Sequence, residues 1–381
     1  MKTFLKNLFN TGYKYHPEIV IISCYYNHKK NPYRLKNFNE WYETIKHLEH
    51  RIVELSIQGS EFQLPENKFI KRISTDHNLW YKEQLLNIII KDLPNKYKYV
   101  VWMDADVIME NKNWLTDTVK EFENGASVVQ PFAHCKHLTL KDNIQKISEK
   151  QIEILELGNE DEVKEIAKES LLWNSFGYIY KNDATLHHLG NYDLHGHVGF
   201  VWAAELANLK KVGLYEKALT GGADHIIAHA TVNQMHEKDI TEVYISNIDE
   251  VKSYMKNWYR VHGENLSYVK GNLFHLYHGE LKKRNYYKRI KEATPQHKKI
   301  KKKDKNGLYV PTKKAAETYE EYYNQREVMP DLLVDVVQEP VQNIVVITEF
   351  DWGGGDFGGG GAEGSYEIPT GENPEVIQNF S

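Results

Sequence analysis

Between Tyr99 and Met103 the chain reads Tyr-Val-Val-Trp-Met, and Asp104-Ala105-Asp106 follows at once. A short, unbroken apolar run of this kind is a strand covered on both faces, the sort found in parallel or mixed sheets sandwiched by helices. It therefore carries two acids to the C-terminal end of a strand, where open α/β sheets present their ligand-binding loops. Hard divalent cations take oxygen ligands and keep positions for phosphate and water, so acids one residue apart suit such an ion there.

The rest of the chain alternates in the same way. Ile19–Cys24 (IVIISC) reads as a buried first strand opening into Tyr25-Tyr26-Asn27, with Val53–Ile57 and Phe69–Ile73 as further strands. Leu79–Leu93 places Leu79, Leu86, Ile89, Ile90 and Leu93 on one helical stripe, and Pro94 stops it. Ser127–Phe132 and Gly196–Ala204 return to buried character, while Lys141–Ser170 reads as a charged, largely helical excursion. Strands alternating with helices predict an α/β sandwich.

Beyond Arg289 the composition shifts. His297–Lys305 is strongly basic, Leu332–Ile347 holds short apolar runs broken by Pro340, and Asp351–Tyr366 is a Gly-rich stretch that cannot hold a packed core. The expected division is a principal α/β domain over 1–295, a basic and polar helical extension over 296–330, and a docking segment with a flexible Gly-rich tail over 331–381.

A net charge of -5 removes any whole-chain attraction to nucleic acid or membranes. The two cysteines, Cys24 and Cys135, are too few for a disulfide framework or a thiolate zinc site and suit a reducing cytoplasm. No run approaches the ~18 apolar residues of a membrane span, so the expectation is a cytoplasmic protein, with peripheral membrane contact left open.

With its strand in front, the Asp-Ala-Asp triplet resembles the DxD motif of GT-A glycosyltransferases, and three more segments follow in that family's order. Trp80-Tyr81-Lys82-Glu83-Gln84-Leu85-Leu86-Asn87 resembles the helix ahead of the motif in inverting galactosyltransferases. Gly196-His197-Val198-Gly199-Phe200-Val201-Trp202 followed by Gly221-Gly222-Ala223-Asp224-His225 resembles the acceptor wall and then the catalytic acid, with Ala223 where the family carries Glu. Gly271–Gly279, trailed by Lys282, Lys283 and Arg284, resembles the segment that supplies a late metal-binding His and basic residues for the leaving diphosphate.

The resemblance implies a GT-A-type, Rossmann-like nucleotide-sugar-binding core with a mixed central sheet. It implies a divalent cation, Mn2+ or Mg2+, on Asp104, Asp106 and His278, with His275 as the alternative His. A nucleotide-sugar donor, most simply a UDP-sugar, would meet Tyr25, Asn27, Lys82, Asn87, Asp104, Lys282 and Arg284. Asp224 would take a proton from the acceptor hydroxyl, which is what inversion at the anomeric carbon requires of one carboxylate. His197, Trp202, Gly221 and Gly222 would line the acceptor, be it a glycan, a lipid-linked sugar, a protein or a modified base. Each has a plainer reading too: Trp202 as core, Asp224 as a helix cap, Gly221-Gly222 as a tight turn.

Two other functions fit parts of the pattern. An apolar strand ending Asp-x-Asp, here Asp104-Ala105-Asp106 followed by Val107, suits a haloacid-dehalogenase-like phosphatase with Asp104 as nucleophile, although no later Gly-Asp-x-x-x-Asp follows. A non-catalytic carbohydrate-binding protein on the same fold is the other.

Overall fold

The computed structural model describes residues 12–138, 172–182, 195–234, 248–278, 300 and 302–326. The 141–170 excursion, Gly279, Lys282, Lys283, Arg284 and the docking segment and tail lie outside the described residues.

Eleven of the described strands build two sheets. The larger takes β1 (Ile19–Tyr25), β2 (His50–Ile57), β3 (Ile70–Thr75), β4 (Tyr99–Met103), β6 (Val128–Gln130), β9 (Val201–Glu205) and β10 (Leu266–Tyr268) in the order β10-β6-β9-β4-β1-β2-β3. All of its pairings are parallel except those of β9, which runs antiparallel between β4 and β6. The smaller orders β5 (Val107–Met109), β11 (Asn272–His275), β7 (His134–His137) and β8 (Leu172–Asn174) edge to edge.

The expected mixed α/β architecture is thus present, and the reason lies in side-chain parity. Val20, Ile22, Cys24, Val100 and Trp102 face one apolar cluster, while Ile19, Ile21, Tyr25, Tyr99, Val101 and Met103 face the other. Successive side chains of a strand point to opposite faces, so a strand covered on both sides is apolar in both parities except where a buried polar residue such as Ser23 finds a partner.

Helices α1 (Pro32–Ile45) and α3 (Trp114–Glu123) contribute Phe38, Trp41, Leu115 and Val119 to the second cluster. The first is closed by α2 (Lys82–Asp92), α5 (Leu206–Val212), α6 (Ala223–Thr231) and α7 (Ile248–His262). Another helix, α4 (Phe176–Asn182), follows β8. Strand β4 delivers the two acids, and helix α2 faces the first of them with Lys82.

Helix α2 begins at Lys82, three residues later than the apolar stripe suggests. Trp80 is held instead by a backbone hydrogen bond from its N–H to the Leu219 carbonyl, 3.1 Å, which fixes the chain ahead of the helix to the Gly221-Gly222 loop. That loop carries positive φ at both glycines, 92° and 96°. A Cβ on Gly221 would stand 3.4 Å from the Trp80 indole, an ordinary contact, so it is the left-handed backbone that calls for glycine.

The described part of the 296–330 segment packs onto the same core. Strands β12 (Lys302–Lys303) and β13 (Tyr309–Val310) pair antiparallel, and α8 (Lys313–Arg326) follows. Leu308, Tyr309, Ala315, Tyr319, Tyr322 and Tyr323 join the first cluster. The Tyr309 N–H donates to Gln84 Oε1 at 2.7 Å, tying this segment to the first turns of α2.

Candidate active site

Strand β4 ends at Met103, whose carbonyl accepts a hydrogen bond from Ser23 Oγ at 2.8 Å, and the next N–H, that of Asp104, donates to the Phe200 carbonyl at 2.8 Å. The first acid is therefore clamped between β1 and the loop before β9. Phe200 takes a φ of 76°, a left-handed conformation that costs a bulky L-residue about 1 kcal/mol or more and collects at functional sites. Its ring stacks on His197 with centroids 3.9 Å apart and leans on His275 at 4.8 Å.

Lys82, the first residue of α2, is buried and reaches both ends of the site. Its Nζ lies 2.6 Å from Asp104 Oδ1 and 3.2 Å from Asp224 Oδ2. Asp224 sits in the first turn of α6, whose N-cap is Gly222, so it makes no cap of its own and stands where a helix N-terminus favours negative charge. Glu83 is buried beside them and accepts a hydrogen bond from Trp80 Nε1 at 3.1 Å. Nothing in its sequence context marked it beyond its position next to Lys82.

The second acid meets two histidines. Pairing of β5 with β11 sets His275 opposite Val107, and the Leu276 N–H donates to the Asp106 carbonyl at 2.8 Å. Asn37 Nδ2 holds the Tyr277 carbonyl at 3.1 Å from the side of α1. These contacts leave His275 Nε2 and His278 Nε2 at 3.5 and 3.6 Å from Asp106 Oδ2 and 3.1 Å from each other. His137, two residues beyond Cys135 on β7, meets His275 Nδ1 through its own Nδ1 at 2.9 Å. It orients the ring from behind, the support that metal-bound imidazoles generally have.

Electrostatics explains what this arrangement lacks. Desolvation pushes Asp104 well above the usual carboxylate range; Lys82 opposes the shift, and the nearby Asp106 and Asp224 add to it. Asp224 is raised by burial against the same lysine, and Glu83 is pushed up to about 8 by burial, with Lys82 opposing. Burial alone would pull Lys82 down, yet Asp104, Asp224 and Glu83 outweigh it and hold the ammonium charged. Three buried carboxylates, Asp104, Asp224 and Glu83, thus face one ammonium, and Asp106 adds a further acid beside Asp104.

A divalent ion would add positive charge here, and the donors fit one. Asp106, His275 and His278 bring three ligand atoms within 4.8 Å of one another, and Asp104 Oδ2 is buried with no hydrogen-bond partner among the described residues. One or two carboxylates with two imidazoles suit a transition ion such as Mn2+ better than Mg2+.

Other residues singled out in the sequence lie elsewhere or are occupied. Asn87 is about 140° round the helix from Lys82; its side chain accepts from the Leu214 N–H at 2.8 Å and donates to the Leu214 carbonyl at 2.9 Å. Tyr25 is buried and its hydroxyl donates to Gln63 Oε1 at 2.5 Å; Asn27 donates to the same atom at 3.1 Å and also closes the turn to Asn31. Trp202 pairs across the sheet with Trp102 and donates from Nε1 to the Val198 carbonyl at 2.7 Å, within the core. His197 accepts the Gly199 N–H at Nδ1, 3.1 Å. Lys282 and Arg284 are outside the described residues.

No family model matches the sequence, and no curated protein does. Among solved structures, the chain is similar to TarS 1–349 of S. aureus, with 12% identity and a TM-score of 0.33 over 69% of this chain and 60% of that one. It is also similar to glucosyl-3-phosphoglycerate synthase of Mycobacterium tuberculosis, solved with Mg2+ and uridine diphosphate, with 9% identity and a TM-score of 0.34 over 78% and 82%. The chain spans less than two thirds of the TarS chain.

Proposed function

We propose that this chain is a divalent-metal-dependent glycosyltransferase of GT-A type. It would transfer a sugar from a nucleotide-sugar donor, a UDP-sugar in the simplest case, to a hydroxyl acceptor with inversion. The observation that carries this reading is that the strand-end acid pair is met on both sides, Asp104 by the buried Lys82 that also holds the helix-borne Asp224, and Asp106 by His275 and His278.

In this reading Asp104, Asp106, His275 and His278 hold the cation, which when bound offsets the charge of the donor diphosphate. Lys82 keeps a permanent positive charge between the acids and the phosphate side of the site. Asp224 takes the proton of the acceptor hydroxyl as that oxygen bonds to the anomeric carbon and the bond from carbon to phosphate oxygen breaks. Its raised affinity for protons, set by burial, suits a general base better than an ordinary surface carboxylate would. The nucleotide base would lie against the loop after β1, near Tyr25 and Asn27. Two imidazoles beside Asp106 favour this reading over a magnesium-dependent phosphatase.

The test is a panel of nucleotide sugars incubated with the full chain and MnCl2, scored by release of nucleoside diphosphate. Turnover of at least one donor, abolished by chelation, is the expected result. Phosphate release from phosphomonoesters with no donor consumed would overturn the reading in favour of the phosphatase.

A further inference from the structure

A second histidine cluster lies on the other side of the loop that leads into β9. His225 and His229 are four residues apart on α6 and so share one helix face, with ring centroids 4.3 Å apart. His195, from the start of the loop, brings its ring to 5.6 Å from His225 and 5.3 Å from His229. All three are at most 3% exposed. The loop thus sends His195 to this cluster and His197, two positions on, to the Phe200 stack beside the Asp106 site.

We propose that His195, His225 and His229 form a binding site for a zinc-class transition metal ion, separate from the cation site at Asp106. Each offers a ring nitrogen within 4.8 Å of the other two. Nitrogens at ~2.1 Å from a shared tetrahedral ion stand about 3.4 Å apart, so modest ring rotations complete the site. Two histidines at this helical spacing with a third from another segment is an arrangement that zinc ligation commonly uses.

An independent observation points the same way. His195 Nδ1 lies 2.8 Å from the Gly196 carbonyl, and since a carbonyl only accepts, Nδ1 carries a proton and Nε2 is the nitrogen that a neutral ring would offer to a metal. A proton donated to backbone behind the ligating nitrogen is the usual support of a metal-bound imidazole. Phe176 packs edge-on against His195 and His229 at 5.6 and 5.5 Å, giving the site an apolar wall. The neighbouring trio of Cys135, His137 and His197 differs, because His137 Nδ1 meets His275 and His197 Nδ1 accepts a backbone N–H. A metal on His195 and α6 would lock the loop before β9 to the helix that carries Asp224.

The full chain, stripped of metal by chelation and then titrated with Co2+, reads this directly. Wild-type protein and Asp106→Asn should both develop the intense visible absorption of a tetrahedral Co2+ site, with the amplitude of one such site per chain. His229→Gln should lose it, and in the Asp106→Asn background Zn2+ should raise the thermal midpoint, an increase that adding His229→Gln should remove. His195→Gln gives the same readout if His229→Gln perturbs α6 by circular dichroism. Absence of the absorption in wild type, its survival in both histidine variants, or its loss in Asp106→Asn would overturn the proposal.

Discussion

Lys82 and Asp224 are 142 residues apart in the chain and 3.2 Å apart in the fold, and the same ammonium reaches Asp104. A helix start, a strand end and a second helix start converge on one nitrogen. Buried charge held this way is sensitive to loss of either partner, because the survivor keeps its desolvation penalty without its counter-charge.

Lys82→Met therefore leaves several buried acids with no cation. We expect unfolding in urea to show a loss of about 3–5 kcal/mol in metal-free protein, with part of it restored by saturating MnCl2. An unchanged midpoint would mean that the acids are neutral in the resting protein.

Glu83 gives the stability a pH dependence of known sign. Its folded value, about 8, lies above its ordinary 4.5, so the folded state holds the proton more tightly than the unfolded one. The resulting stabilisation is complete below the ordinary value and is lost as pH rises through the folded one. The thermal midpoint of metal-free protein should fall between about pH 5 and pH 8, and the stability lost to this one group cannot exceed ~1.4 kcal/mol for each pH unit. Glu83→Gln should flatten that slope.

Trp202 separates two roles by what its loss does. Buried, paired with Trp102 and bonded to Val198, it should behave as core: Trp202→Ala should cost about 3–5 kcal/mol in chemical denaturation. A stable variant with a raised acceptor KM would instead return it to the acceptor wall.

Asp224→Asn should retain Mn2+ and nucleotide binding while transfer falls by several orders of magnitude, since the acceptor proton loses its base. Isothermal titration and donor turnover on one preparation check both halves. Near-normal transfer would remove Asp224 from that role.

How much of this could be read in the sequence depends on the range of the interaction. Strand β4 was legible to the residue because both faces of Tyr99–Met103 are covered, which leaves a continuous apolar signature. The start of α2 was not, since Trp80 is claimed by a backbone bond to Leu219, far along the chain. Helical geometry alone separates Asn87 from Lys82, and the fold commits Asn87 to Leu214. The sequence favoured His278 over His275, whereas the fold brings both to Asp106. The four-residue spacing of His225 and His229 is visible in the sequence, but their meeting with His195 is not, because it depends on how one loop crosses one helix.

The most direct measurement is the affinity of the full chain for Mn2+, followed by electron paramagnetic resonance with and without UDP, in wild type and in Asp106→Asn. The expected result is one manganese per wild-type chain, bound more tightly with UDP present and weakened at least ~10-fold, or about 1.4 kcal/mol, by the substitution. Equal affinity in the two proteins, or indifference to UDP, would contradict a cation held by these acids for a nucleotide-sugar donor.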